Sequence, residues 1–469
     1  IRLLYEQRMR RAKRLIVSLQ LRYLTERQEE DNLTRMANTS ITKSVTKDSD
    51  VKKFTFSAWI KRSSLGSNRI FSAYQLSTYW TSFYFSGNDQ LELFSYINSS
   101  QQAYIQTTSK YRDVNGWYHI VLAVDTTQAT ASNRIKIYVN GEQQTALNQN
   151  SYPTQDSAMG QFNDTGATLY IGKDPNADFN GVMSHVHYTQ GYTYAASDFG
   201  STDSTTGEWK ITTNPNVNYG NHGFFILKNG NSVTDHSGNN LSLSVSSGTL
   251  TKTEDNPSNV FATLNPLFHK SEKITFSNGN NTASEPSGNS TSWTTRWGIS
   301  SIGFSSGKFY AEAKISDYGS GQLYPIGIVR DENIININSS IGSNGWGYYT
   351  LASGGGTIIG NEDGSNLQTS LGASTTGDII GLAVDADNNT LQFYKNGSTL
   401  GSQVTGITAG TYFIGCNAYA NFGIQMNFGN GYFGTTAVSS AGTNASNLGI
   451  FEYDVPSGFT ALCTKGLNE

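Results

Sequence analysis

Aromatic side chains set in polar, turn-rich surroundings are the residues of this chain best suited to ligand chemistry. Tyr79, Trp80 and Tyr84 lie in LSTYWTSFYF, and Tyr318 and Tyr324 in SDYGSGQLYP. A pyranose has an apolar face that stacks on Trp or Tyr, while its hydroxyls take Asn and Asp partners, so these five are the candidate carbohydrate-binding residues. The competing use of each ring is cross-strand or core packing. Packing is the expectation for Trp346 and Tyr348, and for Trp59 and Trp117, which sit in strong strand patterns. His185 and His187, two apart, would share one face of a strand over 181–188, but the sequence points to no third ligand for a metal. Asp385-x-Asp387-x-Asn389 begins like a calcium loop, yet Thr390 replaces its glycine and Asn396 its final glutamate, so a hairpin turn is expected.

The elements that must position these groups are β-strands. The chain of 469 residues carries 48 Gly, 12% aromatic residues, only 8 Pro and 14% charged residues, which describes turn-rich β structure in about two domains. A net charge of −4 provides no global positive field for a phosphate backbone, so nucleic acid is not an expected partner. Cys416 and Cys463 are the two cysteines, too few for a disulfide scaffold or a Cys-based zinc site, and both are read as free thiols. From Phe54 onward the longest apolar run is about five residues, far below the roughly 20 of a membrane helix. The basic-then-apolar stretch from Arg10 to Leu24 is interrupted by Gln20 and Arg22 and makes a poor signal peptide.

Residues 1–36 differ from the rest, with nine basic residues, five acidic ones and no glycine. Tyr5, Met9, Ala12, Ile16, Leu19 and Tyr23 recur at alternating spacings of four and three, the seam of a short N-terminal helix in a coiled-coil stem, dimeric or trimeric. The alternative is a non-native extension ahead of Met36-Ala37-Asn38, and both readings stay open.

Two later segments share one grammar. In GWYHIVLAVDTTQATASNRIKIYVNG (116–141), Ile120 to Val124 has no polar face and reads as a central strand covered on both sides; a turn, an alternating strand and Asn140-Gly141 follow. GDIIGLAVDADNNTLQFYKNG (377–397) repeats this through Asn396-Gly397, and Asn-Gly suits a tight hairpin because both central residues need positive φ. The fold class is therefore all-β, two tandem antiparallel β-sandwich domains of jelly-roll type. The expected division is 37–200, an accessory β segment and linker at 201–270 with short strands such as Phe224 to Leu227 and Leu241 to Val245, a second sandwich at 271–432, and a C-terminal tail at 433–469.

GWYHIVLAVD with RIKIYVNG, ATLYIGKD (167–174) and FNGVMSHVHYTQGYTYAASDFG (179–200) resembles a laminin-G-like, concanavalin-A-like lectin domain, and DHSGNN (235–240) resembles a phrase of these domains that here falls after the core. GKFYAEAKI, YPIGIVRD, GWGYYTLASGG and GDIIGLAVDADNNTLQFYKNG resemble a SPRY domain over 307–397. The laminin-G resemblance implies calcium at one rim, for which KDPNADFNG would supply Asp174, Asp178 and Asn180; no other cofactor is expected. Glucanases on this fold carry E-x-D-x-x-E, since retaining hydrolysis wants two carboxyl groups about 5 Å apart. The β part of this chain has no such pattern, no nucleophile elbow, no phosphate loop and no H-E-x-x-H, so the expectation is a non-enzymatic protein.

The tandem as a whole, with PSNVFATLNPL (257–267) and YDVPSGFTAL (453–462), is similar to structural proteins of tailed bacteriophages, marine ones especially. That resemblance implies a virion component (fibre, tail or capsid surface) assembled in the host cytoplasm, contacting other virion proteins and host-surface glycan, as a homo-oligomer such as a trimer. The alternatives are a ligand-free capsid decoration protein and a glycan-degrading enzyme on a lectin-like fold.

Overall fold

The computed structural model describes residues 39–45, 52–159, 162, 166–228, 232–285, 292–319, 322–337, 339–351 and 354–468. The heptad segment lies outside the described residues.

The first body is a sandwich of two antiparallel sheets. One has eight strands in the spatial order Leu147–Ser151, Ser100–Lys110, Gln90–Ile97, Tyr79–Phe85, Asn68–Leu76, Thr168–Ile171, Ser40–Ser44 and Ser244–Ser247. The facing sheet has six, Phe224–Ile226, Gly181–Gln190, Lys53–Arg62, Tyr118–Asp125, Ile135–Val139 and Glu142–Gln143. Alternation decides which residues meet between them: Phe54, Phe56, Ala58 and Ile60 from one sheet face Phe71, Phe83, Phe85, Leu91 and Leu93 from the other. Phe56 stacks on Phe71 with centroids 4.4 Å apart, and Phe71 on Phe162 at 5.0 Å. Ile120–Val124 is covered on both sides as its composition requires. Ile120, Leu122 and Val124 enter the main core, while Val121 packs beneath Ala196, Phe199 and Trp209.

The second body repeats the plan. Strands Lys308–Asp317, Ile379–Asp385, Thr390–Lys395 and Phe422–Asn427 lie in one sheet, opposed by Gln322–Arg330, Gly345–Leu351 and Tyr412–Ala418 in the other. The shared grammar is shared geometry. Asn140 and Gly141 have φ of 48° and 87°, Asn396 and Gly397 of 49° and 80°. In both hairpins the Asn Oδ1 accepts a backbone N–H at 2.8 Å, from His119 in the first and Ile379 in the second. The Asp385 carboxylate caps its own turn through Asn388 and pairs with Lys308 at 2.9 Å, which is the expected hairpin.

The expected boundaries need correction. Strand Phe224–Ile226 extends the six-stranded sheet and Ser244–Ser247 pairs with Ser40–Ser44, so residues through 247 complete the first sandwich. DHSGNN is the fastening: Asp235 accepts N–H groups from Phe225, Ser237 and Leu241, and the Asn239 amide donates to the carbonyls of Gly220 and Gly223. Ala262 and Leu264 already belong to the second core. The C-terminal segment is no loose tail. Thr460–Ala461 pairs in parallel with Lys308–Asp317, while Phe451, Val455 and Cys463 cover Tyr310 and Ala383. The short strands expected near Phe224 to Leu227 and Leu241 to Val245 are present, but as edges of the first sandwich, and the C-terminal strand was missed, because pieces this short take their place only against a finished sheet.

Where the bodies meet, Lys61 and Asp255 form a buried ion pair at 2.6 Å, and the Trp117 indole N–H donates to the same carboxylate at 3.0 Å. The Asn280 amide donates to the Ser63 carbonyl at 2.9 Å, a second tie between the sandwiches.

Candidate functional site

The outer face of the eight-stranded sheet carries a row of half-buried aromatic rings. On strand Tyr79–Phe85 the residues alternate, with Phe83 and Phe85 inward and Trp80, Ser82 and Tyr84 outward. Trp80 lies directly opposite Tyr96, and Phe94 opposite Tyr104. The Trp80 and Phe94 centroids are 5.3 Å apart with planes 28° from parallel, Phe94 and Tyr96 are 6.0 Å and 26°, and Tyr104 stands edge-on to Phe94 at 5.2 Å. Cross-strand pairing holds these rings side by side without burying them.

Beside the rings runs a polar network on the same face. The Arg69 guanidinium lies 4.0 Å over the Tyr84 ring and pairs with Asp174 at 2.6 Å. The Tyr84 hydroxyl donates to Glu92 Oε2 at 2.6 Å, and the Gln106 amide donates to Glu92 Oε1. Burial, then the Glu92 carboxylate, pushes the Tyr84 phenol well above its ordinary value, so it remains a neutral donor. The face thus presents a flat apolar strip bordered by Tyr84 and Gln106, which are tied to the buried Glu92 carboxylate, and by the Arg69–Asp174 pair.

The structure brings three residues named from sequence, Trp80, Tyr84 and Asp174, onto this one face. Tyr79 is not among them, because it is on the opposite face of its strand, in line with Thr81 and Phe83. Phe94, Tyr96, Tyr104, Glu92 and Gln106 were missed. Their signal was alternation: in QLELFSYI and SQQAYIQTTSK the apolar Leu91, Leu93, Ala103 and Ile105 recur at every second position and point inward, which leaves these five on the other face.

Tyr318 and Tyr324 are a correction. Both are buried, at 8% and 2% exposure; the Tyr318 hydroxyl donates to Thr350 Oγ1 at 2.9 Å, and the Tyr324 hydroxyl accepts from Ser340 Oγ at 3.2 Å. Their rings are core, as are Trp346 and Tyr348. The residues expected to hold calcium are each engaged by the protein itself. Asp174 Oδ1 accepts the N–H groups of Asn176 and Ala177 and Oδ2 faces Arg69, while Asp178 pairs with Lys173 at 2.9 Å. Asn180 enters the fold through its backbone, accepting from Ser63 and donating to Asn68 Oδ1. The loop's two carboxylates are therefore neutralised by protein cations, and no group of three or more His, Cys, Asp or Glu with metal-binding geometry occurs among the described residues.

A bulge separates His185 from His187. His187 is buried against Phe225 at 4.0 Å and bonded to the Tyr219 hydroxyl at 2.9 Å. On the same six-stranded sheet, His119 lies between the Trp59 and Trp209 rings. A cleft of about 550 Å³ opens beside this stack, lined by Trp59, Trp117, Trp209, Glu142 and Glu208 among others.

Comparison with known proteins agrees with this architecture. Residues 37–191 match the laminin G type of the Concanavalin A-like lectin/glucanases superfamily, and residues 308–431 match the SPRY domain. Residues 37–191 thus form a concanavalin A-like domain and residues 308–431 a SPRY domain. Similar solved structures include the PSpry domain of TRIM65, with 16% identity over 35% of this chain and 91% of that one and a TM-score of 0.28. The SPRY domain of human HERC1 has 18% identity over 35% and 96%, with a TM-score of 0.27. The native heptameric SAP-like pentraxin from Limulus polyphemus has 17% identity over 37% and 92%, with a TM-score of 0.25. No curated protein matches the chain.

Proposed function

We propose that the protein is a non-enzymatic, carbohydrate-binding component of a tailed-bacteriophage virion surface, and that the outer face of its first sandwich is the contact surface. The observation that carries the binding reading is the ring row Trp80, Phe94, Tyr96 with polar groups along its edge, an arrangement matched to the apolar face and rim hydroxyls of a pyranose. An open strip suits a polymeric glycan, and many copies on a particle, or a trimer, convert weak contacts into avidity. The phage setting is supported by the likeness of PSNVFATLNPL and YDVPSGFTAL to virion proteins and implies assembly in a host cytoplasm.

The test is a glycan-array and host-cell binding assay on the multivalently presented chain. Trp80→Ala is expected to lower affinity about tenfold, the equivalent of roughly 1.4 kcal/mol of stacking. Absence of binding to any glycan or host surface would select the ligand-free decoration role instead. One observation favours glycan cleavage as a second reading: Glu142 and Glu208, both exposed, line the tryptophan-rich cleft together. Release of reducing ends by the wild type but not by Glu142→Gln or Glu208→Gln would establish that reading.

A further inference from the structure

The tryptophan-lined cleft of about 550 Å³ carries two negative charges that the protein leaves unanswered. Its ring-bearing wall comes from Tyr118 and Trp209, both half-buried, with Trp59 and Trp117 contributing less, at 5% and 9% exposure. Glu142 and Glu208 line the same cleft and are exposed, so their carboxylates are open to a ligand. Both flank one indole. Glu208 directly precedes Trp209 in the chain, and Glu142 follows Gly141, which lies so close against the Trp209 ring that a Cβ there would stand 2.5 Å from it.

No Lys or Arg lines the cleft, and neither glutamate enters an ion pair among the described residues. The cations of the surrounding chain are committed elsewhere. Lys210, which also senses the charge of Glu208, is held by Asp203 at 2.7 Å. Lys61 is held at 2.6 Å by Asp255, the carboxylate that takes the Trp117 indole N–H, and Arg112, next to the lining residue Tyr111, pairs with Asp89 at 3.1 Å.

The two kinds of wall select the same ligand. An aromatic ring attracts a cation through the negative potential of its π face, and a carboxylate attracts it through its charge. An anion would be repelled by both glutamates, and a neutral molecule gains nothing from the uncompensated charge. A metal ion is a poor match, since rings supply no ligand oxygen and no group of three or more His, Cys, Asp or Glu with metal-binding geometry occurs among the described residues. A cation with apolar substituents suits the carboxylates and the rings together, and the volume lies within the range of small-molecule sites. We infer that this cleft is a binding site for a small organic cation, an alkylated ammonium group whose charge is met by Glu142 and Glu208 and whose alkyl substituents pack on the Tyr118 and Trp209 wall. The site rests on neither the aromatic row nor glycan cleavage.

The test is isothermal titration of the full chain with tetramethylammonium and choline, beside neohexanol, the uncharged carbon isostere of choline. Tryptophan fluorescence gives a second readout, because three indoles line the cleft. The comparison is with Glu142→Gln, Glu208→Gln, the double variant and Trp80→Ala. Both glutamates are exposed, so the Gln variants should keep the wild-type melting temperature. The expected result is that both cations bind with dissociation constants of about 1 mM or tighter, that neohexanol binds at least about tenfold more weakly, that the double variant weakens choline by about tenfold or more, and that Trp80→Ala leaves it unchanged. Neohexanol binding as tightly as choline would show that charge selects nothing and would overturn the inference. So would choline binding that survives in the double variant, whether or not Trp80→Ala abolishes it. Failure of both cations to bind at up to about 10 mM would overturn it as well, whatever the glycan array shows for the row.

Discussion

Acidification should destabilise the first sandwich through His119, and the structure supplies the sign and the size. The ring is 1% exposed, between Trp59 and Trp209. Its Nδ1 lies 3.0 Å from the Trp209 indole nitrogen, which can only donate, and its Nε2 lies 2.9 Å from Ser57 Oγ. The neutral tautomer with hydrogen on Nε2 satisfies both neighbours, whereas an imidazolium would direct an N–H at the indole N–H. Burial lowers the ring from its ordinary 6.5 to about 3. Between those values the unfolded chain carries the proton and the folded chain does not, so stability falls as pH falls. The loss is about 1.4 kcal/mol per pH unit, or about 2 kcal/mol at pH 5 relative to the plateau above 6.5. His187, driven well below its ordinary value by burial, and His185, lowered to about 4 by burial and by Lys228, act in the same direction. Urea unfolding followed by tryptophan fluorescence at pH 7, 6 and 5 measures the slope. His119→Gln keeps an acceptor for the indole and removes one titration, so its slope should be shallower by one proton. Equal slopes in the two proteins, or a native-state NMR titration of His119 near 6.5, would refute the reasoning.

Three further outcomes are expected. Asp255→Ala leaves the buried Lys61 ammonium and the Trp117 indole N–H without their partner, and should cost about 3–5 kcal/mol in chemical denaturation; an unchanged midpoint would show that the junction does not depend on the pair. Glu312 accepts from the N–H groups of Glu452 and Tyr453, from the Asn427 amide and from the Tyr310 hydroxyl, so Glu312→Ala should release the C-terminal strap. Limited proteolysis near residue 452 reads that release, and protection equal to wild type would count against it. Burial raises the Cys416 thiol to about 12, and Cys463 is also buried, so a thiol reagent at pH 8 should label neither in the native protein and both after unfolding.

The fold was largely legible because its signals are local. Alternation in RIKIYVNG and LQFYKNG, the unbroken apolar runs before them and the Asn-Gly turns are properties of successive residues, and backbone sterics turn them into strands and hairpins wherever they occur. The strand at 460–461 was not legible, and those at 224–226 and 244–247 were legible only as short strands of a linker, since pieces of two to four residues have no period that says which sheet edge they join.

The site divides along the same line. Aromatic side chains between polar neighbours were visible at Trp80, Tyr84, Tyr318 and Tyr324 alike. Whether such a ring faces water or core depends on which side of the sheet it occupies and on what covers that side, and neither is written in a ten-residue window. Tyr318 went under the second sandwich, while Phe94 and Tyr96, unremarkable in sequence, were set beside Trp80 by register. The acidic loop shows the same limit: turn-forming carboxylates and calcium ligands are the same residue types, and only the arrival of Arg69 from a distant strand decided that Asp174 is an ion-pair partner. Sequence by itself determined an all-β chain with two related sandwiches, because period and turn chemistry act over a few residues. Tertiary structure alone decided the aromatic row, the buried histidines and the tryptophan-lined cleft, because each is made by residues that meet only after the sheets have closed.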